Sequence, residues 1–139
     1  MAGTPHEIVN PSTLLPPVGF SHAVIAGSGR TVYLGGQTGH RPDETLPDGL
    51  VAQFEQAAAN LVTVLRAAGA SPEHLTSIQV FVTSAAAYRE NSEQLGAAYR
   101  RHLGTHFPAV ALLEVSRLFD ADALVELVAI AVLPDTSRE

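Results

Sequence analysis

The alternation of apolar and polar residues in the first third of the chain predicts strands. Runs at Ser21–Ala26 and Thr31–Thr38 are separated by four residues that include two glycines, and this spacing predicts a β-hairpin. Residues 1–18 contain four prolines and predict an extended lead-in to the domain. Gly35 and Gly36, near the end of the second run, predict a bulge or a close approach of another group to the backbone.

Two later segments have the period of helices. Apolar residues over Val51–Ala68 recur at helical spacing, with Asp48 as the predicted N-cap and Gly69 as the predicted stop. A second helix is predicted over 84–103, capped by its first residue, a serine, and ended by Gly104.

Three further runs predict strands at 75–82, 109–115 and 123–132, with a polar turn between the last two. The order β-β-α-β-α-β-β predicts an α/β protein of the α+β kind, with a mixed β-sheet. Two helices can cover only one face of that sheet, so self-association is expected to cover the other. The sequence predicts a single domain over 1–139, with a flexible tail at 134–139.

Composition narrows the class of protein. The 139 residues are 46% hydrophobic and 16% charged, which is typical of a globular domain with a real core. Cysteine is absent, which excludes disulfides and thiolate metal sites. The net charge is −6 and lysine is absent, so neither nucleic acid nor membrane is an expected partner. With no visible signal peptide, we expect a cytoplasmic protein.

Glu126 is the residue whose setting is most unusual. It interrupts the apolar run Leu124–Val132, where an ionised carboxylate costs several kcal/mol unless it is paired, hydrogen-bonded or open to water. It is either a structural salt bridge or subunit-contact glutamate, or a pocket carboxylate that exchanges a proton with substrate. The sequence leaves both interpretations open. Glu114, in a similar setting, is interpreted mainly as an ion-pair partner of Arg117.

Motifs for other chemistries are missing. The six histidines have no metal-ligand spacing, and only His22 is near a predicted site. No P-loop, Gly-rich dinucleotide fingerprint or G-x-S-x-G elbow occurs. We therefore expect no metal and no cofactor.

Many short segments, none specific alone, occur in a recognisable order over residues 8–133. They are Ile8–Pro11, Gly19–Val24, Leu34–Thr38, Gln56–Ala57, Asn60–Leu61, Ala67–Gly69, Val80–Val82, Phe107–Ala109, Glu114–Val115, Arg117–Leu118 and Val125–Glu126. Together they resemble the Rid (YjgF-type) family of imine and enamine deaminases. The resemblance implies a chorismate-mutase-like fold and a homotrimer around a central barrel. It also implies pockets at the subunit interfaces, where imines are hydrolysed to ketones and ammonia without metal or cofactor.

The resemblance also implies a set of site residues. Glu126 matches the family's pocket glutamate, which makes it the expected catalytic residue, and Gly36 matches a glycine whose backbone approaches the ligand. Two expected substrate-binding positions depart from the family. Phe20 stands where a tyrosine is common, and Val110 stands where an arginine clamps the substrate carboxylate. Both changes make the pocket more apolar.

Two functions from different classes remain open. The first is an enzyme that hydrolyses an imine, an enamine or a related small neutral or bulky substrate, rather than the usual 2-aminoacrylate type. The second is a non-catalytic metabolite-binding or regulatory module with Glu126 as an anchor. An endoribonuclease is disfavoured by the charge. The sequence leaves undecided whether Arg89, Arg100 or Arg101 replaces the missing clamp, and whether the loop His40–Gly49 is a lid.

Overall fold

A computed structural model describes residues 3–135, which form two sheets and three α-helices. The strands are β1 (Glu7–Val9), β2 (Ala23–Ile25), β3 (Gly29–Thr38), β4 (Leu75–Val82), β5 (Ala109–Glu114) and β6 (Val125–Pro134). The helices are α1 (Leu50–Ala67), α2 (Ala85–Glu90) and α3 (Ser92–Leu103). The α+β class is therefore confirmed.

The main sheet has the strand order β3-β6-β4-β5 and is mixed, as predicted. β6 lies between β3 and β4 and is antiparallel to both, whereas β5 is parallel to β4. The parallel pair is the one joined through α2 and α3, because a parallel neighbour requires a long crossover connection. β3 and β4, which are joined through α1, do not pair because β6 separates them.

The predicted hairpin between the first two runs is wrong. β2 pairs with β1, with Val24 opposite Ile8, whereas β3 pairs with β6. β3 and β6 are ten residues each, so their ladder offers far more hydrogen bonds than a pairing with the three-residue β2. Part of the predicted lead-in at 1–18 is consequently a strand, because β1 supplies the partner that β2 needs.

The two helical segments are confirmed with changes at their ends. The N-cap of α1 is Gly49 rather than Asp48, and Gly49 has a φ of 89°, a conformation that favours glycine. The second segment is two helices, α2 and α3, broken at Asn91. Ser84 caps α2 as predicted, since its hydroxyl accepts a 3.0 Å hydrogen bond from the amide of Ala87. Gly104 ends α3, also as predicted.

Alternate residues of β6 separate the buried face of the sheet from the open one. Val125, Leu127 and Ala129 are fully buried in the core beneath the helices. Glu126 and its even-numbered neighbours point to the opposite face and are only half-buried. Tyr33, paired with Ile130 on that face, is 77% exposed. The helices therefore cover one face of the sheet, as predicted.

The structure describes only the first two residues of the predicted C-terminal tail. β6 extends to Pro134, which lies opposite Gly29, so the predicted tail at 134–139 begins inside a strand. The remainder of that tail, 136–139, lies outside the described residues. Within residues 3–135, no helix is both long enough and apolar enough to cross a membrane.

Gln53 on α1 connects the loops that flank the sheet, although it is only 3% exposed. Its Nε2 donates to the carbonyls of Pro47 and Asp122, at 3.1 and 3.2 Å. Its Oε1 accepts a 2.8 Å bond from the amide of Leu124, immediately before β6. One buried amide thus satisfies three backbone groups and fixes the approach to Glu126.

We expect Gln53→Ala to lower the free energy of unfolding by about 3 kcal/mol, because it leaves buried backbone groups without partners. Urea denaturation measures the change. Gln56→Ala is the matched control, since Gln56 is half-buried on the same helix and bonds only Asn60. A loss no larger than the loss in the control would contradict this role.

Candidate functional site

Glu126 and Gly36, both predicted site residues, are in contact. The register between β3 and β6 shifts between Leu34 and Gln37, which confirms the predicted bulge at the glycine pair. A Cβ atom added to Gly36 would overlap the Glu126 carboxylate, whose Cδ would lie only 2.9 Å away. Glycine at this position is therefore what allows the carboxylate to lie against the backbone of β3.

The carboxylate of Glu126 is not used in an ion pair within residues 3–135. A structural salt bridge inside this part of the chain is therefore not its role. Glu126 instead projects from the open face of the sheet, where a ligand or another subunit can reach it.

The predicted ion pair between Glu114 and Arg117 does not form. Glu114 Oε1 accepts a 2.8 Å hydrogen bond from the amide of Ala85, the first residue of α2. The Arg117 Nε donates to the carbonyl of Leu118 at 3.4 Å. A free amide at the start of a helix is a strong donor to a carboxylate, which explains why Glu114 bonds the amide of Ala85 rather than Arg117.

Phe20 and Val110 are also brought together, at the outer edge of β5. The amide of Ser21 donates to the carbonyl of Pro108 at 2.9 Å, and its hydroxyl donates to the carbonyl of Phe107 at 2.6 Å. These bonds hold Ser21 beside Ala109 in an isolated parallel bridge. The next residue, His22, therefore lies beside Val110, and Phe20, whose ring packs on His22, lines the same cavities as Val110.

Phe20 and Val110 line one cavity of about 850 Å³ together with residues of α2 and α3. The aromatic rings of Tyr88 and Tyr99 contribute to its wall. Burial raises the pKa of both phenols, so both stay neutral. The Tyr99 hydroxyl is occupied, since it donates to the carbonyl of His106 at 2.7 Å. The cavity is therefore mainly an apolar, aromatic one.

The three arginines considered as replacements for the clamp differ in position. Arg100 lines the same cavity as Val110. Arg101 makes a bidentate pair with Glu55, at 2.8 and 3.0 Å, and this pair lowers the pKa of Glu55 to about 2. Arg89 is exposed on α2. Arg100 is the one whose position suits contact with a ligand beside Val110.

The four predicted site residues form two separate pairs within one chain. Val110 lies opposite Ile78 of the core and packs against the helix-covered side. Glu126 projects from the other face, and none of the three cavities that Val110 lines includes it, although one of them reaches Val128 and Ile130 of β6. Within the described part of one chain, Val110 and Glu126 therefore do not share a cavity.

His22, the histidine predicted near the site, has a local structural contact. Its Nε2 lies 2.8 Å from the carbonyl of Leu15, and its ring packs edge to face with Phe20 at a centroid distance of 5.2 Å. It therefore supports the segment that carries Phe20.

A chain of hydrogen bonds that no sequence pattern indicates lies beside the strand position of Glu126. The Thr38 Oγ1 lies 2.5 Å from His40 Nδ1, and His40 Nε2 lies 2.9 Å from Asp120 Oδ2. The backbone amide of Asp122 and the His40 ring lower the pKa of Asp120, which keeps it ionised. Asp120 is 80 residues from His40, so no local spacing could have indicated the cluster.

The loop His40–Gly49 is anchored at two points. Asn60 Nδ2 donates to the carbonyls of Thr38 and His40, at 3.0 and 2.9 Å. Gln53 holds Pro47 near the other end. Among residues 3–135, no group of three or more His, Asp or Glu side chains is placed to hold a metal ion.

Comparison with known proteins identifies the family to which this chain belongs. Residues 11–133 match the family described as Endoribonuclease L-PSP, and the chain belongs to this family, which is the Rid or YjgF family. A 2-iminobutanoate/2-iminopropanoate deaminase from Capra hircus is 30% identical over 115 residues, which is 81% of this chain and 79% of that protein.

Solved structures of Rid-family proteins resemble this chain over most of its length. A Rid-family protein of unknown function from Yersinia pestis, YyfB, is 36% identical with a TM-score of 0.81, over 92% of this chain and 98% of that one. RidA from the Antarctic bacterium Psychrobacter sp. PAMC 21119 is 29% identical with a TM-score of 0.66, over 82% and 88%. The fold is therefore that of the Rid family.

We expect Gly36→Ala to displace the Glu126 carboxylate while changing the free energy of unfolding by less than about 1 kcal/mol. The cost is small because the overlapping atoms are the end of a flexible side chain. The ¹³Cδ signal of Glu126, assigned with Glu126→Gln, reports the displacement by NMR. Gly35→Ala is the matched control, since a Cβ there meets nothing within 4 Å. An unmoved signal in Gly36→Ala would show that the contact does not exist in solution.

Proposed function

We propose that this protein is a Rid-type hydrolase that cleaves the C=N bond of an imine, or of the imine tautomer of an enamine, whose substituents are neutral or bulky. Family membership supports the reaction class, and relatives about 30% identical are named as deaminases of 2-imino acids. The observation that carries the substrate class is Val110, which lies in an aromatic cavity where the deaminases use an arginine.

The chemistry requires few groups. A protonated imine is electrophilic, so water adds to its carbon once a base accepts one proton from that water. Glu126, free of ion pairs within the described part of the chain, is the proposed base. The same proton then goes to the nitrogen, and the C–N bond breaks as the ionised Glu126 accepts the proton of the new hydroxyl, so that the carbonyl product and the amine or ammonia leave. Holding the reactants in place supplies much of the acceleration.

The substrate class follows from charge and shape. A valine offers no donor and no charge, so the bidentate grip on a carboxylate is lost at position 110. Phe20, Tyr88 and Tyr99 provide surface for an apolar substituent. Arg100 and Glu93 also line that cavity, so it holds one charged group of each sign, which does not favour an anionic substrate.

We propose that the active form is a homotrimer that binds a small-molecule substrate, with neither nucleic acid nor membrane as a partner. The open face of the sheet, with Tyr33 at 77% exposure, is the surface that another copy would cover. Assembly would also bring Glu126 of one copy near Val110 of the next. The separation of these two residues within one chain supports this arrangement.

The alternative is a non-catalytic metabolite-binding or regulatory module. It is favoured by the same valine, because a pocket without the clamp still binds apolar ligands while Glu126 serves as an anchor. An endoribonuclease, the activity in the family's description, remains disfavoured by the net charge of −6 and the absence of lysine.

We expect Val110→Arg to raise kcat/KM for 2-iminopropanoate by about ten-fold or more, because a charged hydrogen bond to a carboxylate contributes about 1.5–3 kcal/mol. The imine is generated in situ and the release of ammonia is followed. Thr63→Arg, on the exposed side of α1 and outside that cavity, is the control for added positive charge.

A wild-type rate on 2-iminopropanoate equal to that of Val110→Arg would contradict the proposed substrate class. If neither protein hydrolyses any imine from a panel of aliphatic, aromatic and neutral substrates, the binding module is the better interpretation. Thermal unfolding of both variants shows that loss of folding is not the cause.

Light scattering tests the assembly. We expect a mass three times the 14.6 kDa of one chain at micromolar concentration. Tyr33→Arg, which places a charge on the open face, is expected to lower that mass, whereas the helix-side control Arg89→Ala is not. A wild-type mass of one chain would contradict the trimer and its interface pockets.

A further inference from the structure

Three side chains form a continuous hydrogen-bonded path from the surface to the open face of the sheet. Asp120 is 42% exposed, His40 is 30% exposed, and their contact is 2.9 Å between Oδ2 and Nε2. The path continues from His40 Nδ1 to the hydroxyl of Thr38 at 2.5 Å. The hydrogen bonds from Asn60 to the carbonyls of Thr38 and His40 hold the backbone of both residues.

The direction of these hydrogen bonds follows from the chemistry of the groups. An ionised Asp120 can only accept, so His40 Nε2 must carry a proton. A neutral imidazole has only one N–H, and its Nδ1 is then an acceptor. The Thr38 hydroxyl must therefore donate to Nδ1, which leaves its oxygen lone pairs available to accept a proton from the other side.

Thr38 is placed where Glu126 can use it. The two residues are directly opposite on β3 and β6, and they share the open face of the sheet. Directly opposite residues of antiparallel strands have Cβ atoms about 5 Å apart. The side chains of Glu126 and Thr38 are therefore neighbours on one face, and because the Glu126 carboxylate lies against Gly36, a proton would pass between it and the Thr38 hydroxyl through one bridging water.

We propose that Thr38, His40 and Asp120 form a proton relay that serves Glu126. This inference rests on the proposed function, because it assigns the relay to the base of that reaction. When Glu126 has accepted a proton from the attacking water, it passes it to the Thr38 oxygen as Thr38 passes its own to His40 Nδ1. The imidazolium is held by Asp120, and the same path returns the proton to Glu126 when the amine leaves.

The surroundings of His40 are mainly acidic or uncharged. Arg41 and Asp43 are turned to Thr45, with which both form hydrogen bonds. The remaining charged and polar groups on the elements around His40 are Gln56 and Asn60 of α1, Asp120 and Asp122 before β6, and Glu126 of β6. A positive charge that forms on His40 during the reaction therefore lies 2.9 Å from the Asp120 carboxylate, which stabilises it.

The direction of the relay is tested first without substrate. In ¹⁵N-histidine NMR of the full chain at pH 8, with His40 assigned by His40→Gln, we expect Nε2 protonated and Nδ1 a hydrogen-bond acceptor. Thr38→Val is expected to shift the Nδ1 signal, whereas Thr63→Val is not, since the Thr63 hydroxyl bonds Ala59 on the outside of α1. A His40 ring with its proton on Nδ1 would overturn the proposal.

The role in catalysis is tested by the pH profile on the imine found to react fastest. Because only a neutral His40 can accept the proton, the pH profile of kcat should have a rising limb that depends on His40. We expect His40→Gln to lose this limb and to lower kcat about ten-fold or more, with KM changed less than two-fold. Thr38→Val should also lower kcat, and Thr38→Ser should restore it.

The matched control is His102→Gln, because His102 also bonds a carboxylate, Glu55 at 3.0 Å, but lies on α3 away from Glu126. If His40→Gln and Thr38→Val keep the wild-type profile and kcat, the cluster is only structural and the relay is wrong. If wild-type protein hydrolyses no imine, the proposed function fails instead, and the NMR result alone decides whether the relay has the stated direction.

Discussion

The contact between the Glu126 carboxylate and the side-chain-free backbone of Gly36 is the constraint on which the candidate site depends. β6 lies inside the sheet, so alternate residues must be apolar to pack beneath the helices, and a charged residue is tolerated only on the other face. The bulge in β3 then sets which residue of β3 is opposite Glu126. Because the register shifts at the glycines, that residue is Thr38, which carries a hydroxyl.

The elements of this fold were largely predictable, but their partners were not. Helical period located both helical segments, and alternation located β4 within its observed bounds. The hairpin between β2 and β3 was wrong because turn chemistry reports only local preference, whereas strand pairing is decided by the longest available ladder. β6 competes for β3 from almost 100 residues away, and nothing near the turn reveals this competition.

In the candidate site, too, local sequence patterns were predictable, whereas contacts between residues far apart in the sequence were not. A glutamate in an apolar strand and a pair of glycines are visible in the sequence, and the structure joins them. The identity of position 110 became meaningful only through the resemblance to a family. The pairing of His40 with Asp120 had no signal at all, since it depends on where two loops meet. The separation of Val110 from Glu126 was equally hidden, because it depends on which face of the sheet each residue occupies.

The position of Val110 on an edge strand affects how such proteins can diverge. β5 has one full neighbour, β4, and Val110 is only partly buried against the core. A residue there can change in size and charge while the central strands keep their packing. Single substitutions at the sheet edge can therefore change the lining of the cavity while Thr38, Glu126 and the bulge between β3 and β6 keep their positions.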